Sequence, residues 1–278
     1  MPEGDTICRT ARTLHGVLAG RPVTGFASPL PEVAAVSRRL DLVGQTVAAV
    51  EASGKHLLIR FSGAVTLRTH LGMTGSWHLY RVGTAWRRPA RAARVVLETA
   101  EVTAVCFSAP VIELLPPGRG AEPPALQRLG PDLLSPAFDA VRARRRLLDR
   151  SGEEIGVALL DQTALAGIGN VYKSEICFLC AVNPFGRVGD LDGGTLDRLI
   201  ETARREMQRN LGPGMRRTRS GLSRERLWVY RRSGKACLRC GNAVRWRRQG
   251  EQGRSTYWCP VCQPAVRRPG QERGRGGW

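Results

Sequence analysis

The sequence predicts an α+β protein in three parts: a β-rich N-terminal region led by one helix, a helical middle, and a C-terminal cysteine ribbon. Three observations carry this. Short apolar and β-branched runs, broken by glycine-containing turns, fill most of the first 110 or so residues. Past the stretch P-P-G-R-G-A-E-P-P at 116–124 the apolar period changes to a helical one. Near the C-terminus two C-x2-C pairs stand 18 residues apart.

From Asp5 to about Leu18, Ile7, Ala11, Leu14 and Leu18 recur at helical spacing, with Asp5 or Thr6 as the expected N-cap. Strand-like runs follow at 46–50, 56–61, 65–68, 94–99 and 102–107, separated by S-G-K, S-G-A and L-G-M-T-G turns. They predict an antiparallel sandwich or barrel. After the 116–124 linker, helical runs are expected near 137–148, 154–161, 170–179 and 195–210. A second linker, L-G-P-G-M-R-R-T-R-S-G at 211–221, leads to the cysteine segment, and the residues after Cys262 form a tail expected to be disordered. The expected division is 1–120, 121–212, 213–264 and a basic tail at 265–278.

The chain has 278 residues and a formal charge of +19. Of that charge, the stretch 213–278 supplies +14, from 17 Arg or Lys against 3 acidic residues. This asymmetry favours a polyanion-binding face over an evenly solvated surface. No apolar run reaches the roughly 18 residues of a membrane span, and the first residues lack a signal-peptide core, so a cytosolic protein is expected. Lysine occurs only at Lys55, Lys173 and Lys235, which marks Lys55 and Lys173 as positions where arginine does not serve. Cys8, Cys106, Cys177 and Cys180 sit among apolar neighbours and read as small buried hydrophobes, although Cys177 and Cys180 are also spaced C-x2-C.

Cys237, Cys240, Cys259 and Cys262 form the strongest local signal. Two knuckles joined by a hairpin place four thiolates around Zn²⁺ and leave no open position, so one structural zinc ion is expected. The hairpin carries R-W-R-R at 245–248 and G-R-S-T-Y-W at 253–258, suited to a nucleic-acid backbone or to a solvated basic surface. In the middle, A-G-I-G-N-V-Y-K-S-E restarts a helix at Asn170, where that side chain could cap the helix or meet a phosphate.

Five segments then add up to a family: M-P-E-G-D, S-G-K-H-L-L at 53–58, T-H-L-G-M-T-G at 69–75, A-G-I-G-N-V-Y-K-S-E at 166–175 and G-R-S-T-Y-W-C-P-V-C-Q at 253–263. In this order they resemble the formamidopyrimidine-DNA glycosylase and endonuclease VIII family of base-excision repair enzymes, over nearly the whole chain. The resemblance implies a catalytic β-sandwich, a helix-two-turn-helix domain and a zinc finger. It implies Pro2 as the nucleophile once Met1 is removed, Glu3 as general acid and Lys55 as the family's strand lysine near the reacting sugar. It also implies phosphate contacts from His70, Asn170 and Arg254, a supporting glutamate at Glu175, and Met73 as a wedge that fills the stack when a nucleotide flips out. Taken alone, Met73 reads as a core residue.

Lesion preference is read from a departure. The arginine-bearing stretch of formamidopyrimidine-type members is replaced by C-F-S-A-P-V-I-E-L-L at 106–115, and the M-P-E-G-D-T opening resembles the endonuclease VIII branch. Oxidised pyrimidines are therefore expected, with β,δ-elimination at abasic sites. The alternatives are an 8-oxoguanine or formamidopyrimidine glycosylase, to which Met73 points, and a non-catalytic zinc-ribbon DNA-binding protein. The expected partner is double-stranded DNA with damaged bases or abasic sites, bound by a monomeric, nucleoid-associated cytoplasmic enzyme that does not enter membranes.

Overall fold

The computed structural model describes residues 2–116, 123–221 and 224–265. Most of the 116–124 linker, and the tail beyond Ala265, lie outside them. Backbone contacts divide the chain into two units. The first takes the N-terminal part to Phe138 together with Leu165–Gly167 and Met207–Gly214; the second takes Asp139–Ala164, Ile168–Glu206 and the rest.

The first unit is a β-sandwich with helices along it. Helix α1 (Gly4–Leu18) buries Ile7, Ala11, Leu14 and Leu18 on one face, as their spacing predicts. Its N-cap is Glu3, with no side-chain capping bond, and not Asp5 or Thr6. Asp5 is buried within the first turn, where its charge suits the helix dipole. Strand β1 (Gly25–Ala27) and helix α2 (Pro31–Arg39) follow. The sequence reading passed over α2, although Pro31 at its start, Glu32 in its first turn and Arg38–Arg39 in its last are ordinary helix signals.

Strands β2 (Val47–Ser53), β3 (His56–Phe61), β4 (Thr66–His70) and β8 (Val111–Leu115) form one antiparallel sheet in that order. Strands β5 (Ser76–Arg81), β6 (Ala93–Glu98) and β7 (Val102–Phe107) join β1 in the other, in the order β1-β6-β7-β5. Leu57, Ile59, Leu67, Ile112 and Leu114 from one sheet share a core with Val95, Leu97, Ala104 and Cys106 from the other and with α1. A sandwich, not a barrel, is what these two separate sheets build. A one-turn helix α3 (Pro124–Gln127) follows the sandwich.

In the second unit α4 (Ala140–Leu148) starts three residues later than expected, because Asp139 accepts the Arg142 amide at 2.9 Å and caps it. The 154–161 run shortens to α5 (Ile155–Ala158), whereas α6 (Asn170–Leu179) keeps its expected bounds and α7 runs from Gly193 to Arg209. Strands β9 (Arg245–Gln249) and β10 (Arg254–Trp258) form the expected hairpin, with Trp258 paired to Arg245. Among the described residues no helix is long and apolar enough to cross a membrane.

Candidate active site and metal cluster

Pro2 is half-buried and Glu3 is fully buried as the N-cap of α1. What seats them is Gly4. Its amide, one of the donors a helix start leaves unpaired, donates to the Gly167 carbonyl at 2.9 Å. A Cβ at position 4 would lie 2.7 Å from the Met207 Cε and 3.0 Å from the Gly167 Cα, so no larger residue fits without movement. Gly167 itself has φ +107, a conformation that favours glycine.

The same short stretch reaches the turn that carries Lys55. That residue follows Gly54 in the two-residue turn between β2 and β3, where the S-G-K pattern places it, and so precedes the strand that the resemblance implies for it. Gly54, at φ +57, donates its amide to Asp132 Oδ2 at 2.7 Å, and a Cβ there would stand 3.3 Å from the Ala166 Cβ. Ala166 in turn donates to the Pro131 carbonyl at 3.0 Å. Residues 166 and 167 thus hold the Gly54–Lys55 turn on one side and the Glu3–Gly4 start on the other. Sequence reasoning missed Asp132 and Met207, since neither belongs to a local motif.

His70 closes β4. Its Nδ1 accepts the Gly72 amide at 3.3 Å, and its ring stands 4.9 Å from that of His56. Arg68, nearly buried, donates to His56 Nδ1 at 3.0 Å and to both Glu113 oxygens at 2.9 and 2.7 Å. Because arginine has no proton to lose, His56 must accept there and be neutral. Burial, then the His70 ring and the Arg68 and Lys55 charges, push His56 down to about 3. Burial, then Lys55 and Arg68, lower His70 in the same direction. Met73 is 70 % exposed at the tip of the Leu71–Gly75 turn, which overturns the core reading of that residue.

In the second unit Asn170 is the first residue of α6, Gly169 is the N-cap, and no side chain caps the helix. The Asn170 Oδ1 is buried without a hydrogen-bond partner among the described residues, so the expected capping role is not the one it fills. Glu175, expected beside DNA, is fully buried on α6. It accepts the amides of Trp228, Val229 and Tyr230 at 2.8, 2.9 and 2.9 Å, and the Thr218 hydroxyl. Burial pushes its carboxyl up, against the pull of these donors. It bears on a ligand only through the backbone it holds. Lys173 is also fully buried, and its Nζ donates to Thr256 Oγ1 at 2.6 Å, which accounts for a lysine there. Arg254 is exposed at the start of β10, its guanidinium braced by Gln252 Oε1 at 3.0 and 2.9 Å.

The four ribbon cysteines meet with all their sulfurs within 4.8 Å of one another. Cys237 and Cys262 are 3.9 Å apart and Cys240 and Cys259 3.5 Å. A tetrahedral ion with metal–sulfur bonds of about 2.3 Å requires sulfur–sulfur edges of about 3.8 Å, so the cluster fits a metal of this kind. The Arg239 amide donates to Cys237 Sγ at 3.4 Å, and the Asn242 side chain to Cys240 Sγ at 3.7 Å, donors suited to thiolates. Around the cluster, the Arg239 guanidinium lies 4.4 Å from the Phe178 ring centre, and Phe178 stacks on Trp228 at 5.4 Å. Cys177 and Cys106 are buried apart from the cluster, and burial pushes both thiols up to about 12.

Comparison with known proteins agrees with this architecture. The formamidopyrimidine-DNA glycosylase N-terminal domain matches residues 1–110 and the H2TH domain of the same glycosylase matches 129–220. The probable endonuclease 8 2 of Streptomyces coelicolor is 46% identical over 99% of this chain and 98% of its own length. A DNA-(apurinic or apyrimidinic site) lyase, Nei2, of Mycolicibacterium smegmatis is 40% identical over 95% of this chain and all of its own. In fold, the chain is similar to Lactococcus lactis Fpg in complex with DNA containing an N7-benzyl-Fapy-dG, with a TM-score of 0.79, 22% identity and coverage of 95% and 100%. With two domain matches and full-length relatives well above 30% identity, the chain belongs to the formamidopyrimidine-DNA glycosylase family, the base-excision glycosylases that also cleave abasic strands.

Proposed function

We propose that this enzyme removes oxidised pyrimidines from double-stranded DNA and cleaves the resulting abasic strand by β,δ-elimination, with Pro2 as its nucleophile. The observation that carries the reading is the seat of the N-terminus: a carboxylate, Glu3, buried as a helix N-cap directly beside Pro2 and fixed by the Gly4–Gly167 contact. The relatives named endonuclease 8 support the pyrimidine branch, as does the absence of arginine from 106–115. Met73 is the one feature that favours the 8-oxoguanine alternative.

The chemistry requires a free Pro2 nitrogen, hence a chain processed at Met1. An α-amine has a pKa of about 8, so an appreciable fraction is neutral near pH 7. The neutral amine attacks C1′ while the Glu3 carboxyl gives a proton to the sugar ring oxygen and the C1′–O4′ bond opens; the proline N–H proton then passes to the departing base as its bond to C1′ breaks and the nitrogen lone pair forms the iminium. The iminium so formed draws electrons from the C2′–H bond. Loss of that proton expels the 3′ phosphate, and a second elimination expels the 5′ phosphate. Lys55 supplies an ammonium for the phosphate next to the reacting sugar. His70, Asn170 and Arg254 contact further phosphates, Asn170 through its side-chain amide N–H.

Met73 enters the space left by the flipped nucleotide. Glu175 acts indirectly, by holding the 228–230 backbone. Cys237, Cys240, Cys259 and Cys262 would hold one zinc ion, which supplies fold and no chemistry. The reading keeps the three modules divided near 120, 212 and 264, in a nucleoid-associated cytoplasmic monomer.

Borohydride reduction on an abasic-site duplex tests the nucleophile. A covalent adduct is expected with the processed wild type and none with Pro2→Gly; an adduct that survives Pro2→Gly would sink the assignment. Excision of thymine glycol against 8-oxoguanine opposite cytosine decides the branch, and faster release of 8-oxoguanine would reverse it.

A further inference from the structure

Met73 and Thr74 stand exposed at the tip of their turn, yet a wedge must be stiff to displace a base. Its stiffness comes from below. The Gly75 amide donates to the Leu71 carbonyl at 2.8 Å, closing the turn. A Cβ on Gly72 would lie 2.7 Å from the Pro110 ring, and one on Gly75 would lie 3.0 Å from the Ala109 Cα. The turn is therefore pressed onto Ser108–Pro110, where Ser108 takes a left-handed φ of +51. Thr74 Oγ1 donates to the Ser108 carbonyl at 3.2 Å.

One side chain spans both pieces. The Arg88 guanidinium donates to Ser76 Oγ at 2.9 Å, to the Thr74 carbonyl at 3.5 Å and to Ser108 Oγ at 3.5 Å. Its central carbon sits 5.5 Å from the centre of the Phe107 ring, and Trp86 meets that ring edge-on at 5.8 Å. A planar fork of donors is the group that can serve acceptors on both pieces at once.

We propose that Arg88 is a positioning residue for base excision: it locks the Leu71–Gly75 turn and the Ser108–Pro110 turn into one rigid edge, so that Met73 enters the stack already ordered. The inference rests on the wedge reading of Met73. It predicts a division of labour. Excision from a duplex needs the stack to be filled, whereas cleavage of an abasic site in single-stranded DNA has no stack to fill.

The test measures single-turnover rates on a damaged-base duplex and on a single-stranded abasic oligonucleotide, with 2-aminopurine beside the lesion to report unstacking. R88M keeps the stem over Phe107 and removes the donors; R87M removes the same charge from an exposed neighbour. Hydrogen bonds from a charged donor are worth enough to expect about tenfold slower duplex excision and slower 2-aminopurine response for R88M. Single-strand cleavage should stay within about twofold on the same reasoning. R88K should recover part of the loss, and combining R88M with M73A should add little to M73A alone. If M73A slows duplex excision but R88M behaves as R87M does, the role of Arg88 is refuted and the wedge stands. If M73A has no effect, the wedge reading fails and the inference goes with it. An equal loss by R88M on both substrates would mark a general structural role and overturn the proposal.

Discussion

Replacing Gly4 with alanine tests whether the backbone contact at the start of α1 sets the reacting groups. The new Cβ would approach the Gly167 Cα to 3.0 Å, about 0.4 Å inside the 3.4 Å at which ordinary contact begins, and the Gly167 oxygen to 3.3 Å. The 2.7 Å approach to the Met207 Cε matters less, because that methyl ends a flexible side chain. Overpacking of this kind costs about 1–3 kcal/mol. Alanine returns about 0.4–1 kcal/mol by restricting the unfolded chain. The net loss, between about 0 and 2.6 kcal/mol, lowers the melting temperature by no more than about 10 °C.

Activity should suffer more. A misplacement of about 1 Å can slow a reaction about a hundredfold, so a shift of about 0.4 Å at Pro2 and Glu3 should slow borohydride trapping roughly tenfold. Single-turnover trapping and a melting curve on the same preparation read the two effects separately. Wild-type trapping by G4A would refute the reasoning. Restoration of the rate by adding Met207→Ala would also count against it, because that change removes the side-chain collision and leaves the backbone one.

His56 is held well below its ordinary value in the folded protein, so the unfolded chain binds the extra proton as pH falls. The stability this contributes is complete above about pH 6.5 and is lost as pH falls toward about 3, with at most about 2 kcal/mol gone by pH 5. Melting curves should show a smaller decline between pH 6.5 and 5 for H56Q than for wild type; equal slopes would show that His56 is not responsible. E175Q replaces two acceptor oxygens with one and turns an amide group toward backbone donors. A loss of about 2–4 kcal/mol in urea unfolding is expected, with Trp228 fluorescence shifted; an unchanged midpoint would mean that the 228–230 backbone does not depend on this carboxylate. A strong chelator should release one zinc ion per chain, measured by atomic emission, and lower the melting temperature, while retention of the full melting temperature without metal would contradict a structural role.

Much of this fold was legible because its signals are local. Strands β3 and β7 and helix α6 have the bounds that apolar pattern and glycine turns predict. The cysteine cluster followed from spacing alone. What escaped is non-local or conflicted. Helix α2 is short, with only Val33 and Ser37 buried, so its apolar stripe was too thin to read. Strand β5 has no residue fully buried, and its half-covered pattern carries no clean alternation. For the candidate site, Pro2, Glu3 and Lys55 stand in short motifs. Asp132 and Met207, which help to seat them, lie far along the chain and bear no chemical label, whereas Gly167 falls within the quoted 166–175 motif. Met73 shows the limit from the other side: taken alone, its residue type suggested burial, and the structure exposes it.

The composition of the first unit has a consequence for biosynthesis. Among the described residues its sandwich core runs from Ile7 to Leu114, so it can close while the rest of the chain is still being translated. The seat of the N-terminus cannot. It waits for Gly167 and Met207, and the Arg9 side chain near it bonds the Gly214 carbonyl, 205 positions later. The N-terminal end of this enzyme leaves the ribosome first and takes its folded position last. A nascent chain paused in the helical region would therefore carry a folded sandwich whose Pro2–Glu3 seat is not yet assembled.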